Sequence, residues 1–391
     1  MNSPDWLLHC SELLSQRQDR AQLRRLQTLS QLDAVHVEVD GRRYVNFASN
    51  NYLGLTHHPQ VLRAASEAAS AGSGAAGLIT GHTSSHARCE QVVARWKGTE
   101  AAVVLPSGYQ ANLAAVQTLA SIGETYLRGA RFLVDKLAHA SLIDAVRATD
   151  VPMRIFPHNG IPKLRRLLEE ADPAQFQIVL TESIFSMDGD AADLHEIAQL
   201  KKKHPFVLLL DEAHGSGVYG ASGAGYAAEL GLSDAVDVSI VTLSKAIGCS
   251  GGAVCSSKIF RDALVNFGRA FIYSTSISPI ICDAVVAAIE VMQHEPWRQQ
   301  RVRALAMNVR TRLRERGMKI PAGDSPIIPI LLGEEQAALQ AAEQLKDRGL
   351  LVVAVRPPTV PPGSSRLRIT LSCAHSDEEI ECLIQSLLEM R

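Results

Sequence analysis

Two charged residues, Asp211 in Asp211-Glu212-Ala213-His214-Gly215 and Lys245 in Thr242-Leu243-Ser244-Lys245-Ala246, each follow an apolar run and lie 34 positions apart. The stretch 206–210 reads as a strand buried on both faces, and 236–242 is a second strand-like run. An open α/β sheet takes its ligands just beyond the carboxyl ends of such strands, so both side chains fall at one sheet edge. A carboxylate held there away from water needs a cationic partner, and a primary amine can close an imine with an aldehyde. Pyridoxal phosphate (PLP) answers both needs. Its protonated pyridine nitrogen would face Asp211, and its aldehyde would take Lys245. A lysine after a strand is most often a solvated loop residue, and an acid there is often only a helix cap. The pair in this order, with His214 three residues after the acid, gives the chemical reading its weight.

PLP asks for further services, and the chain has a candidate for each. His214 and Ser186, the latter in Phe185-Ser186-Met187-Asp188-Gly189-Asp190, are candidate donors to the phenolate oxygen. Ser107-Gly108-Tyr109 follows an apolar strand and opens a helix, where backbone N–H groups and the helix dipole hold a phosphate. Thr242 is a second candidate for the phosphate, and His139 at another helix start is a candidate to lie flat on the ring. The plain alternatives are a satisfied core histidine for His214 and an ordinary N-cap for Ser107. Because an imine is far less basic than a free lysine, Lys245 is expected both to hold the cofactor and to move a proton, making Lys245, Asp211 and His139 the catalytic candidates.

These residues must be positioned by a sheet. From about residue 46 to 276 the chain alternates strand and helix, with strands expected at 101–105, 132–134, 177–181 and 206–210 and helices at 112–119, 141–148 and 194–202. That order predicts an α/β fold with a mainly parallel sheet sandwiched by helices. Before it, leucines over 7–29 have the spacing of an amphipathic helix, and 35–45 alternates like a hairpin around Asp40-Gly41. After Pro279, helices at 280–292 and 298–316 lead to an α+β tail, with strands at 327–332, 351–355 and 367–371 and helices at 336–347 and 377–390. The expected divisions are 1–45 for the N-terminal helix and hairpin, 46–283 for a large cofactor-binding domain, and 284–391 for a smaller α+β domain.

Composition fits an ordinary globular enzyme: 391 residues, 46% hydrophobic, 20% charged, formal net charge −2. No charge imbalance calls for nucleic acid, no apolar run is long enough for a membrane span, and no leader pattern opens the chain, so a cytoplasmic protein is expected. Seven scattered cysteines without a C-x-x-C pair read as core residues or free thiols, and no metal-binding spacing is present. Gly72-Ser73-Gly74-Ala75-Ala76-Gly77 matches G-x-G-x-x-G but follows an Ala-rich helical run, 61–71, instead of a strand, which argues against a nicotinamide site. His57-His58 before Pro59 reads as an exposed turn.

Six ordered landmarks resemble the α-oxoamine synthases, fold-type I PLP enzymes that condense an amino acid with an acyl thioester and release carbon dioxide. They are Asn46-Phe47-Ala48-Ser49-Asn50-Asn51-Tyr52-Leu53-Gly54-Leu55, Ser107-Gly108-Tyr109, His139-Ala140-Ser141-Leu142, Phe185 to Asp190, Asp211 to Gly215 and Thr242-Leu243-Ser244-Lys245. Within the family, Arg356-Pro357-Pro358-Thr359-Val360-Pro361 is similar to the biotin-pathway branch, which joins L-alanine to a pimeloyl thioester and yields 8-amino-7-oxononanoate, carbon dioxide and free thiol. The resemblance implies that Arg356, Asn50 and His139 meet the amino acid, that Arg24 and Thr359 approach the acyl group, and that coenzyme A or an acyl carrier protein carries it. It also implies a homodimer with shared sites, Ser274 and Thr275 reaching the partner's phosphate. Leu78 stands where relatives commonly have Arg or His, and Tyr109 where the biotin branch often has Phe. A glycine-using member with another acyl group, such as a C-acetyltransferase, and a catalytically idle partner subunit stay open.

Overall fold

The computed structural model describes residues 5–390. Its central feature is a seven-stranded sheet of β1 (Ala101–Leu105), β2 (Ala130–Asp135), β3 (Met153–Phe156), β4 (Phe176–Glu182), β5 (Val207–Asp211), β6 (Val238–Thr242) and β7 (Gly252–Ser256), in the spatial order β1-β7-β6-β5-β4-β2-β3. Four neighbouring pairs are parallel, and β7 runs antiparallel to both β1 and β6. The expected mainly parallel sheet is present. Two strands, β3 and β7, carry no sequence signal strong enough to announce them: β3 is a short edge strand with two exposed residues, and β7 begins at glycine and is made of small side chains.

Alternation across the pleat builds two cores. Phe132, Val134, Ile178, Leu180 and Leu209 enter one, with helices α2 (Gly108–Gly123) and α3 (Ala140–Arg147) over them. Leu133, Val179, Leu208 and Leu210 enter the other, against Phe156, Leu164 and Ile197. The inward face of α2 is Ala111, Ala114 and Ala115, all fully buried, so this helix lies close on the sheet and fixes what its first turn presents at the strand ends.

Contacts divide the chain into two compact units. One comprises 50–186 and 190–303 and contains the seven-stranded sheet. The other comprises the residues through Ser49, 187–189 and 304 onward. It holds the His36–Val39 and Arg42–Asn46 hairpin, and a three-stranded antiparallel sheet of Ile327–Gly333, Ser365–Thr370 and Val353–Val355. The single strand expected over 351–355 is two: Leu350–Leu351 pairs in parallel with Arg42–Asn46, while Val353–Val355 joins the three-stranded sheet.

Three local expectations are corrected. The helix over 7–29 is α1, Asp5–Asp19, and ends where Ala21 takes φ 53°; its leucines are all exposed. The Ala-rich run 61–71 is helical only as Pro59–Ser66. His58 is not a free turn residue: its ring caps that helix by accepting the Gln60 N–H at 3.3 Å, and it lies 3.6 Å from Glu295. Among the described residues no helix is long and apolar enough to cross a membrane, and no group of three or more His, Cys, Asp or Glu side chains is arranged to hold a metal.

Candidate active site

Strand ends β4, β5 and β6, with the first turns of α2 and α3, bring the sheet-edge residues together. Lys245 lies three residues beyond β6 in a turn closed by the Gly248 N–H on the Lys245 carbonyl, 2.9 Å. Its Nζ is 3.0 Å from His214 Nε2. On the other side of that ring, Nδ1 is 2.6 Å from Tyr52 Oη, and Tyr52 donates to Asn50 Oδ1 at 3.2 Å. Tyr52 and His214 are both buried.

Asp211 closes β5 and is buried. Its Oδ1 accepts the Ala213 N–H at 2.9 Å, and its Oδ2 accepts from Asn112 Nδ2 at 2.8 Å. Asn112 also donates to Ser141 Oγ, 2.8 Å, and Ser141 Oγ is 2.7 Å from His139 Nδ1. His139 is the N-cap of α3, its Nδ1 accepting the Ser141 N–H at 3.2 Å, so the neutral ring carries its hydrogen on Nε2. Burial pushes the His139 imidazole below its ordinary 6.5, against a smaller upward pull from Asp211. A neutral ring is therefore wired through Ser141 and Asn112 to the carboxylate.

The start of α2 is packed against the end of β6. Ser107 bridges to Gly251 and caps the helix by accepting the Gln110 N–H, 3.1 Å, so the plain N-cap reading holds for its hydroxyl. A Cβ built on Gly108 would stand 2.4 Å from Thr242 Oγ1, so only glycine lets that hydroxyl and the first N–H groups of α2 share one corner. Tyr109 is half exposed and turns away to donate to Asp144 Oδ2 at 2.9 Å, a bond that raises its phenol above the usual value. Ser186 is buried in the turn after β4.

The remaining residues belong to the other unit. Arg24 Nη2 donates to Thr359 Oγ1 at 2.8 Å, joining two positions 335 residues apart. Arg356 donates to the Ala21 carbonyl, and burial, with Arg24 nearby, lowers its guanidinium pKa.

Asn112, Ser141 and Glu182 were not singled out from sequence. Glu182 ends β4 in register with Asp211, is buried, and its Oε1 has no hydrogen-bond partner among the described residues; neither has Asn112 Oδ1. A signal for Glu182 existed, since it is an acid directly after a buried strand, the pattern that exposes Asp211. Asn112 is one turn after Gly108, a buried polar residue among the alanines of α2.

An amine, a buried carboxylate, a neutral imidazole and a glycine corner with a hydroxyl make a donor set suited to an aldehyde cofactor with a basic ring nitrogen and a phosphate. The family model described as aminotransferase class I and II matches residues 42–387. The chain belongs to that family. Two relatives named 8-amino-7-oxononanoate synthase, from Alkalilimnicola ehrlichii and Cellvibrio japonicus, are each 39% identical to it. The first alignment covers 96% of both chains, and the second 96% of this chain and 94% of the relative. A solved structure of SPT with PLP internal aldimine superposes with a TM-score of 0.92 at 26% identity, over 99% of this chain and 98% of that one. This aminotransferase-family chain is a fold-type I, PLP-dependent acyltransferase of the α-oxoamine synthase group.

Proposed function

We propose that the protein condenses L-alanine with a pimeloyl thioester to give 8-amino-7-oxononanoate, carbon dioxide and free thiol, in biotin biosynthesis. The observation that carries this reading is end-to-end identity of 39% to relatives of that name, against 26% to SPT. PLP, when bound, supplies an electron sink that makes a carbanion beside a carboxylate accessible at neutral pH. Lys245 is the amine that anchors it, and the same Nζ takes and returns the Cα proton of the substrate. His214, 3.0 Å from that Nζ and backed by Tyr52, orients the amine and donates to the ring oxygen. Asp211, fixed by Asn112 and the Ala213 N–H, is the carboxylate that would meet the ring nitrogen, and neutral His139 would cover the ring face. Gly108, Tyr109 and Thr242 take the phosphate and Ser186 assists at the ring oxygen, with Tyr109 acting through its backbone because its phenol is engaged with Asp144. Arg356 is a candidate for the alanine carboxylate, for which a guanidinium is suited, and Asn50 is a candidate for the same group. The Arg24–Thr359 pair meets the acyl chain. The working form in this reading is a cytoplasmic homodimer, with Ser274 and Thr275 serving the partner's site.

Thiol release by the purified protein, measured for alanine, glycine and serine crossed with acetyl, succinyl, pimeloyl and long-chain thioesters of coenzyme A and of acyl carrier protein, tests the reading. Turnover should be selective for alanine with the pimeloyl donor. Selective turnover of glycine with acetyl thioester, or of serine with a long chain, would overturn it.

A further inference from the structure

His158 lies two residues beyond the end of β3 and stands between two carboxylates from other segments of the chain. Its Nδ1 is 3.2 Å from Asp135 Oδ1, and its Nε2 is 2.7 Å from Asp190 Oδ2. Both ring nitrogens therefore donate, which only the imidazolium can do. Burial lowers this imidazole, but the two carboxylates outweigh it and raise it from 6.5 to about 10, so the charge is present at neutral pH.

Each carboxylate is built into a loop that carries a residue of the proposed cofactor pocket. Asp135, buried at the end of β2, accepts the Leu137 N–H at 2.8 Å on Oδ1 and the Asn159 N–H at 3.0 Å on Oδ2, and its carbonyl accepts the Ala138 N–H at 3.0 Å. Its side chain and main chain thus shape the turn that delivers His139. Asp190 closes the other loop. Its carbonyl accepts the Phe185 N–H at 2.9 Å, one residue before Ser186, and the buried Phe185 ring meets the His158 ring in a T-shaped contact, 4.3 Å between centroids. Asn159 adds a second link, donating from Nδ2 to the Ala191 carbonyl at 3.0 Å and accepting the Asp193 N–H on Oδ1 at 3.2 Å. We infer that His158 is a positioning residue of the cofactor pocket: it bridges Asp135 to Asp190 and so sets the spacing between the His139 turn and the Ser186 loop. The inference rests on the roles proposed above for His139 and Ser186, and not on the identity of either substrate.

Asp190→Asn keeps an acceptor for the ring N–H, and its amide nitrogen replaces Oδ1, an oxygen with no hydrogen-bond partner among the described residues. Asp190→Ala cuts the bridge at one end while Asp135 keeps its backbone donors, and His158→Ala removes the bridge altogether. The three variants are compared with wild type for PLP affinity of the apoprotein and for the pH titration of the bound cofactor's visible absorbance. Asp190→Asn should stay within about threefold of wild type, whereas both alanine variants should bind PLP about tenfold or more weakly, the worth of one hydrogen bond to a charged group, and shift the absorbance titration. Circular dichroism confirms folding, and the asparagine variant separates the bridge from general stability; if His158→Ala does not fold, Asp190→Ala carries that arm. Wild-type PLP affinity and an unmoved titration in a folded alanine variant would overturn the inference. So would an asparagine variant as impaired as Asp190→Ala, since the charge and not the bridge would then matter. PLP binding needs neither amino acid nor thioester, so these outcomes stand whichever substrates turn over.

Discussion

Gly108→Ala should damage the wild-type protein and do no harm once Thr242 is shortened. The added Cβ would lie 2.4 Å from Thr242 Oγ1, but 3.5 Å from Thr242 Cβ and 3.8 Å from Cγ2. Only the first distance is impossible. The helix cannot slide away, because Ala111, Ala114 and Ala115 hold α2 against the sheet within the next two turns, and overpacking of this kind costs about 1–3 kcal/mol. In Thr242→Ala the offending oxygen and Cγ2 are gone and the nearest remaining Thr242 atom is its Cβ, in ordinary contact. There the glycine replacement restricts the unfolded chain and is worth up to about 1 kcal/mol. The two effects have opposite sign, so a double-mutant cycle should give a coupling of about 2–3 kcal/mol. Urea unfolding of the four apoproteins, followed by far-ultraviolet circular dichroism, measures it. Additivity within about 0.5 kcal/mol would refute the packing argument at this corner.

Lys245→Ala should abolish both the visible absorbance of covalently held cofactor and thiol release; a turning-over variant with that absorbance would sink the assignment of the amine. Asn112→Ala removes the Nδ2 donor from buried Asp211 Oδ2 and should cost about 1.5–3 kcal/mol in apoprotein stability, visible as a lowered urea midpoint, with an unchanged midpoint counting against it. His158 lies between Asp135 (3.2 Å) and Asp190 (2.7 Å), and these partners outweigh burial to raise it from 6.5 to about 10. With the folded value above the unfolded one, its stabilisation is fully present below pH 6.5 and disappears as pH climbs towards 10. His158→Gln should therefore cost about 2 kcal/mol at pH 6, the buried-pair value discounted for partial exposure, and much less at pH 9.5. Equal costs at both pH values would contradict the ion triad.

The α/β alternation was legible because each central strand is an apolar run between helices of clear period. Where that contrast fades, legibility fades with it. The edge strand Met153–Phe156 and the small-residue strand Gly252–Ser256 have little hydrophobic mass to announce them. The leucines of 7–29 keep a helical spacing past Asp19, but those within the helix stay exposed, and the backbone turns at Ala21. Lys245, Asp211, His214, His139 and Thr242 were legible because a charged or polar side chain at the end of a buried strand, or at the start of the next helix, stands out in sequence.

Their partners were harder to see, for two physical reasons. Asn112 and Ser141 act from the buried faces of helices, where a polar residue looks like a tolerated exception until Asp211 is found 2.8 Å from Asn112, and Asn112 2.8 Å from Ser141. Arg24 and Thr359 meet across 335 positions, and Arg356 reaches back to Ala21 over the same span, so no local pattern could join them. The residues proposed to hold the cofactor thus lie in short segments, each readable alone, while those proposed to choose the substrates are paired between the ends of the chain. A substitution such as Arg24→Ala, which breaks one such pairing without touching the sheet edge, should leave PLP absorbance intact and change discrimination among acyl thioesters. A loss of cofactor binding in that variant would show that the two functions are not separately encoded.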